Sequence, residues 1–283
     1  MCDVSYSSKV PKKIFQKKYK NKEDIKKLKL LHKKITRAAI FNYKGTRSLL
    51  EALYLESIKS NRLKEFEQAI LKYRTSIKKN EIKKYFSYFK KILPVYEKLI
   101  WNKEYKKLVY KKEKIIKLMK KYDFDNMIQK IAIFYGVSIK NIGIIDVAFY
   151  PISYGNNINA YRIKNLETIG VLVNKKQNLK WLMSATILHE ISHTIYFKSD
   201  IVKENLYIKN KKKNILLVEG FATSIGAGWG YSKFNKKAVK KISWYNNKKY
   251  DRFAKKIYPN IKTYLDNNKQ LDKKFIRYVK GEL

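Results

Sequence analysis

The chain is poor in several residues from which common sites are built. It has a single cysteine, Cys2, in 283 residues, which excludes an internal disulfide and any zinc site made of several cysteines. It has three histidines, so a histidine-based site can be assembled in few ways. No run of about 18 apolar residues occurs, and a transmembrane helix is not expected. Nor is there a basic start followed by an apolar stretch, the pattern of a signal peptide, so the chain as written is expected in the cytoplasm. Cys2 directly after Met1 has two readings. It is an incidental near-terminal cysteine, or the acceptor of a processed lipoprotein, in which case the protein is lipid-anchored or secreted.

Arginine is scarce too. Of 65 basic residues 58 are lysine and seven arginine, against 23 acidic residues, for a formal charge of +42. Such a charge invites a nucleic-acid reading. Lysine, however, is the poorer residue for bidentate recognition of phosphates and bases. The lysines are also spread along the chain instead of forming one basic helix or tail. Lys, Asn, Ile and Tyr are over-used together, as an A+T-rich genome would cause. The charge therefore argues for general attraction to anionic surfaces or acidic substrates more than for a dedicated nucleic-acid function.

Lysine recurs about every fifth residue, and buried segments are where it should stop. Its three longest absences are 141–163, 181–197 and 214–232. The second contains His189-Glu190-Ile191-Ser192-His193, an H-E-x-x-H pattern. On a helix the two histidines are four residues apart and share a face. Two imidazoles so placed reach one tetrahedral zinc ion, with Glu190 beside the metal's water as general base. Leu179, Leu182, Met183, Thr186, Ile187 and Ile191 make the rest of the helix apolar, so it should be largely buried.

The third gap holds one charged residue, Glu219, in Val-Glu-Gly-Phe-Ala. A lone carboxylate in an apolar helical run is costly unless it is paired or bound to a metal. Asp200 and Glu204 are nearer rivals for a third ligand, but they sit in a polar, lysine- and asparagine-rich connection over 198–213 that reads as a loop. H-E-x-x-H followed by a helix carrying Glu-Gly-Phe-Ala resembles the gluzincin metallopeptidases, the thermolysin-like and aminopeptidase-like enzymes. The resemblance covers about residues 141–232, with a His193-to-Glu219 separation a few residues longer than in the best-known members. It implies Glu219 as third ligand. The metzincin pattern fails, since Tyr196 and Ser199 stand where its glycine and third histidine would be.

The rest of the chain frames that unit. Residues 1–22 read as a loose lead-in, 23–135 as a helical domain or cap, and 136–283 as the catalytic domain. Leu63, Phe66, Ile70 and Tyr73 recur at helical spacing, as do Ile82, Tyr85 or Phe86, Phe89 and Leu93; Pro94 should break or kink that second helix. Further helices are expected near 103–121 and 124–135, and His32 reads as a surface residue. Strands are expected over Asn141–Tyr150, Asn159–Ile163 and Thr168–Val173, with a turn at 153–157. Asn159-Ala160-Tyr161 is similar to the substrate-binding segment of thermolysin-like enzymes, an edge strand that holds the peptide by strand addition. It is read equally well as an ordinary hairpin. Gly226, Gly228 and Gly230 should end regular structure after the Glu219 helix. Residues 236–283 return to lysine-rich helices anchored by Trp244, Tyr245, Phe253, Tyr258, Tyr264 and Phe275.

The expected fold is thus α+β and mostly helical: a helical N-terminal region, a small sheet preceding the H-E-x-x-H helix, and a helical C-terminal region. The expected function is that of a zinc peptidase. His189, His193 and Glu219 would hold Zn2+, Glu190 would be the base, Thr223 would support Glu219, and one of Tyr231, Tyr245 and Tyr250 would serve the oxyanion. Two alternatives stay open: a helical binding or scaffold protein with a structural or decayed metal site, and a basic nucleic-acid-binding protein.

Overall fold

Lysine-studded sequence with apolar residues every three or four positions becomes helix throughout. The computed structural model describes residues 22–41, 48–60, 62–151, 160–162, 168–173, 178–237, 239 and 242–283. The expected lead-in over 1–22 lies, but for Lys22, outside them. The fold is α+β and mostly helical. No helix among the described residues is long and apolar enough to cross a membrane.

The chain forms two compact units, one of residues 1–109, 148–157 and 162–175, the other of residues 110–147, 158–161 and 176–283. In the first, α1 (Lys22–Thr36), α2 (Leu49–Lys59), α3 (Leu63–Leu71) and α4 (Lys79–Tyr96) pool their apolar stripes. Ile35, Leu49, Phe66, Ile70, Tyr73, Ile82, Tyr85 and Phe86 are buried together, with the Phe66 ring edge-on to Phe86. His32 belongs to this unit, where its Nδ1 lies 3.2 Å from the Tyr85 hydroxyl. Pro94 does not end α4, contrary to expectation. The helix continues through a π-helical turn, Glu97–Trp101, into α5 (Asn102–Lys121). Proline withholds one N–H from the ladder on the turn before it, while the turn after it stays closed, the Glu97 N–H reaching both the Leu93 and Pro94 carbonyls.

The expected boundary after residue 135 is not where the units divide. Helix α6 (Phe124–Tyr135) lies in the second unit, because its last residues are core there. Phe134 and Tyr135 are fully buried against Phe221, and Phe134 also meets Phe275 edge-on. Gly136 ends the helix with φ of +66°, where a side chain would be strained and would also strike Gln270 and Ile201. A short helix α7 (Ile139–Ile142) then occupies the start of the expected first strand, and Gly143 at φ of +74° turns the chain. The strand therefore begins later: β1 is Asp146–Pro151, β2 Ala160–Arg162 and β3 Thr168–Val173, in sheet order β1-β3-β2. Asn159 and the expected turn at 153–157 lie outside the described residues.

Helix α8 is continuous from Leu179–Trp181 through a π-helical Leu182–Leu188 to His189–Lys198, and Asn178 caps its first N–H groups. The connection after it is not a loop. It contains α9 (Asp200–Asn205), started by Ser199, whose hydroxyl accepts from Val202 N and donates to the Tyr135 carbonyl. Helix α10 (Lys211–Thr223) carries Glu219 and runs on as a π-helical Ser224–Gly230, so the three glycines do not end regular structure. Helices α11 (Lys248–Asp266) and α12 (Lys273–Gly281) complete the unit, with Phe253, Ile257, Ile261 and Phe275 buried beneath α10 and α6.

One polar contact fixes α11 to the end of α10. Trp229 is wholly buried, and its Nε1–H donates to Asp266 Oδ1 at 2.8 Å; Lys233 and Lys262 also bond this carboxylate. Burial would raise the Asp266 pKa, but the two lysines and the indole outweigh it and hold the carboxyl well below its usual range. A depressed folded-state pKa stabilises the protein above the unfolded pKa and ceases to do so as pH falls. Asp266→Ala should therefore cost about 1–3 kcal/mol at pH 7, by leaving the two lysines without their counter-charge and the indole N–H without an acceptor. Denaturant unfolding of both proteins should show that gap narrowing below about pH 4. A gap independent of pH would contradict the assignment.

Candidate metal centre

The apolar pattern of α8 buries the face that carries the histidines. His189 and His193 are 8% and 7% exposed, on a helix whose Leu182, Met183, Ile187, Leu188, Ile191 and Ile195 are all buried. Their i, i+4 spacing brings the two Nε2 atoms to 3.0 Å. Helix α10 packs against α8 and delivers Glu219 to the same point. Its Oε2 lies 3.5 Å from His189 Nε2 and its Oε1 3.6 Å from His193 Nε2. One ligand atom from each residue fits within a 4.8 Å span. Donors about 2.0–2.1 Å from a tetrahedral zinc ion are about 3.3 Å apart, so the three atoms already have the spacing of a zinc-ligand set. Two neutral nitrogen donors and one carboxylate are also the right chemistry for a borderline-soft dication.

Electrostatics point the same way. Burial pushes the Glu219 pKa up, yet the two imidazoles beside it more than reverse this and hold the carboxyl far below its ordinary range. Burial pushes His189 down, but Glu219 and the charge of Glu190 together raise it above its ordinary value. A carboxylate that draws a proton onto the imidazole would draw a dication to the same lone pairs, so a metal would have to compete with protons here.

Glu190 follows His189 by one residue, about 100° round the helix, and is half-buried. Its charge acts on both His189 and Tyr245, and it is not among the residues whose ligand atoms converge. The rival ligands are elsewhere. Asp200 is exposed and paired with Lys203 at 2.8 Å, and Glu204 is exposed on the same short helix. Among the three candidate tyrosines, Tyr245 borders the site. Its hydroxyl donates to Glu219 Oε2 at 3.1 Å and its ring stacks on His189. Tyr250 is edge-on to Tyr245, whereas Tyr231 is buried against Trp181. Thr223 does not support Glu219 as expected. Its hydroxyl is buried and makes no hydrogen bond among the described residues.

Sequence reasoning missed what holds the two helices together. The π-helical Leu182–Leu188 and Ser224–Gly230 face each other, one just before His189 and the other just after the Glu219 helix. A Cβ at Gly226 would come within 2.7 Å of the Ser184 carbonyl, 2.9 Å of His189 Cβ and 3.0 Å of His189 N. One at Gly230 would meet Leu188 at 2.7 Å. Further along α8, the Tyr135 hydroxyl and Ser192 Oγ are 3.2 Å apart, tying α6 to the motif helix. Only the glycine spacing carried any signal of this, and it reads equally well as a helix stop.

Gly226→Ala should destabilise the protein by about 1–3 kcal/mol, since the clash is with backbone that cannot swing away. It should also weaken zinc binding, by pushing α10 from the histidines. Gly281, with nothing within 4 Å of the same position, is the control: Gly281→Ala should alter stability by no more than about 1 kcal/mol and leave zinc binding unchanged. Thermal unfolding and zinc titration of both variants measure this, and equal behaviour would refute the close-packing account.

Comparison with known proteins finds no matching family model, no matching curated protein and no matching solved structure. What the site does must be argued from its own residues.

Proposed function

We propose that the chain is a zinc-dependent peptidase that resembles the gluzincins, with peptides or proteins as substrates. The observation that carries this reading is the convergence of His189, His193 and Glu219 on one point, with Glu190 next to His189 in the chain and near enough for its charge to act there. A purely structural metal site has no use for that second carboxylate.

His189 and His193 would offer neutral Nε2 atoms, and Glu219 one carboxylate oxygen, as the three protein ligands. That leaves a fourth tetrahedral position open, as catalytic zinc sites do. When bound, zinc supplies Lewis acidity, which brings water to the edge of ionisation at neutral pH and polarises a carbonyl. Glu190 takes the proton of the attacking water and passes it to the leaving amine. Its half-buried position suits this, because a base must meet both the site and the substrate. The net charge of +42 would favour the approach of acidic segments over basic ones at low salt.

Two sets of variants test the reading. The purified protein should hold about one zinc per chain, and Glu219→Ala should lower its affinity sharply while Asp200→Ala and Glu204→Ala leave it nearly unchanged. Glu190→Gln should keep the zinc and lose about 10²–10⁴-fold in peptide hydrolysis, since an amide cannot accept the proton. Hydrolysis of a peptide library at matched zinc occupancy is the measurement. Equal turnover by wild type and Glu190→Gln would remove Glu190 from the mechanism. No turnover by either would favour a scaffold with a structural metal.

A further inference from the structure

We propose that Tyr245 and Asp251 are positioning residues for the third ligand, Tyr245 by holding the Glu219 carboxylate in one rotation and Asp251 by holding Tyr245. This rests on the metal-centre reading above and assigns the phenol a different task from that of oxyanion donor.

A phenol has one O–H to donate, and an ionised carboxylate can only accept. The Tyr245 hydroxyl gives its proton to Glu219 Oε2, the oxygen that also faces His189 Nε2 at 3.5 Å. The other oxygen, Oε1, faces His193. With one oxygen engaged by the phenol, the carboxylate cannot spin about its last bond, and it meets a metal through a set edge. A proton so engaged is not available to a developing oxyanion.

Tyr245 is itself held on several sides. Its ring stacks on His189 at 6.3 Å between centroids, and Tyr250 closes on it edge-on at 5.3 Å. Its backbone is fixed from the first turn of α11. Asp251 Oδ1 accepts the N–H of Trp244 at 2.6 Å and that of Tyr245 at 3.3 Å, while Oδ2 pairs with Lys255 at 2.9 Å. Trp244 is buried and anchors the segment further, its Nε1–H donating to the Val239 carbonyl at 2.8 Å. The residues before α11 are thus a strap, pinned by one carboxylate and one indole, whose tip is the Tyr245 hydroxyl. An acid in the first turn of a helix ordinarily serves the helix dipole, but Asp251 directs its Oδ1 to the strap.

The test is metal binding by wild type, Tyr245→Phe and Asp251→Ala, read by competition with a chromophoric chelator for Zn2+ and by the visible spectrum of the Co2+-loaded proteins. Tyr245→Phe keeps the ring stacked on His189 and removes only the hydroxyl. Its zinc dissociation constant should rise about 10–100-fold, the usual effect of losing a partner of a metal ligand. Its Co2+ bands should shift as the carboxylate turns, which a merely structural role would not cause. Asp251→Ala should move both readouts in the same direction and by less, because the hydroxyl remains. Unchanged zinc affinity and spectrum in Tyr245→Phe, with turnover at full occupancy reduced about 10²–10³-fold, would make the phenol an oxyanion donor and overturn the proposal alone. A wild type that takes up neither Zn2+ nor Co2+ would overturn the metal-centre reading, and this inference with it.

Discussion

The close approach of Gly226 to the backbone around His189 sets the geometry on which the site depends. A helix bearing Cβ atoms along this line would have to stand further off, and Glu219, a little under two turns earlier on the same helix, would move away with it. Both segments at the contact are π-helical, wider than an α-helix, and they lie within a turn or two of His189 and Glu219. The convergence of His189, His193 and Glu219 is therefore a consequence of backbone packing beside His189 and nearly two turns from Glu219. Protein interiors tolerate little added volume, so a single methyl group at the contact is felt at the donors.

A second constraint is electrostatic. Glu219 is the only charged residue in a 19-residue stretch, and it is largely removed from water. Such a group is tolerable only with partners in place. The structure supplies two imidazoles and a phenol, all directed at the same two oxygens. The α8 histidines are more confined still, and the affinity of His189 for a proton is raised by Glu219 and Glu190. An arrangement that concentrates lone pairs and negative charge at one buried point is costly in any protein that has no cation to put there.

Some of this is legible in the sequence and some is not. The H-E-x-x-H pattern is local, so the shared face of His189 and His193 follows from helix geometry alone. Glu219 is identified by contrast, one charge in a lysine-free run, and the helices of residues 22–135 by their periodic apolar stripes. Boundaries are less legible. Pro94 reads as a break, yet the helix runs on past it; Asn141 and Ile142 read as strand, yet Ser138 and Gly143 fence off a helical turn. The glycines at 226, 228 and 230 look like loop residues because sequence shows their conformational freedom and hides what packs against them. Asp251 is invisible for a similar reason, since which N–H groups a carboxylate accepts is a tertiary fact.

The central claim is that one cation is held by two imidazoles and a carboxylate in this chain. X-ray absorption at the zinc K-edge of the zinc-loaded protein tests it most directly. The account predicts two imidazole nitrogens at about 2.0–2.1 Å with oxygen ligands completing the shell at about 2.0–2.2 Å. A third imidazole, which only His32 could supply, or a shell of oxygen alone would contradict it.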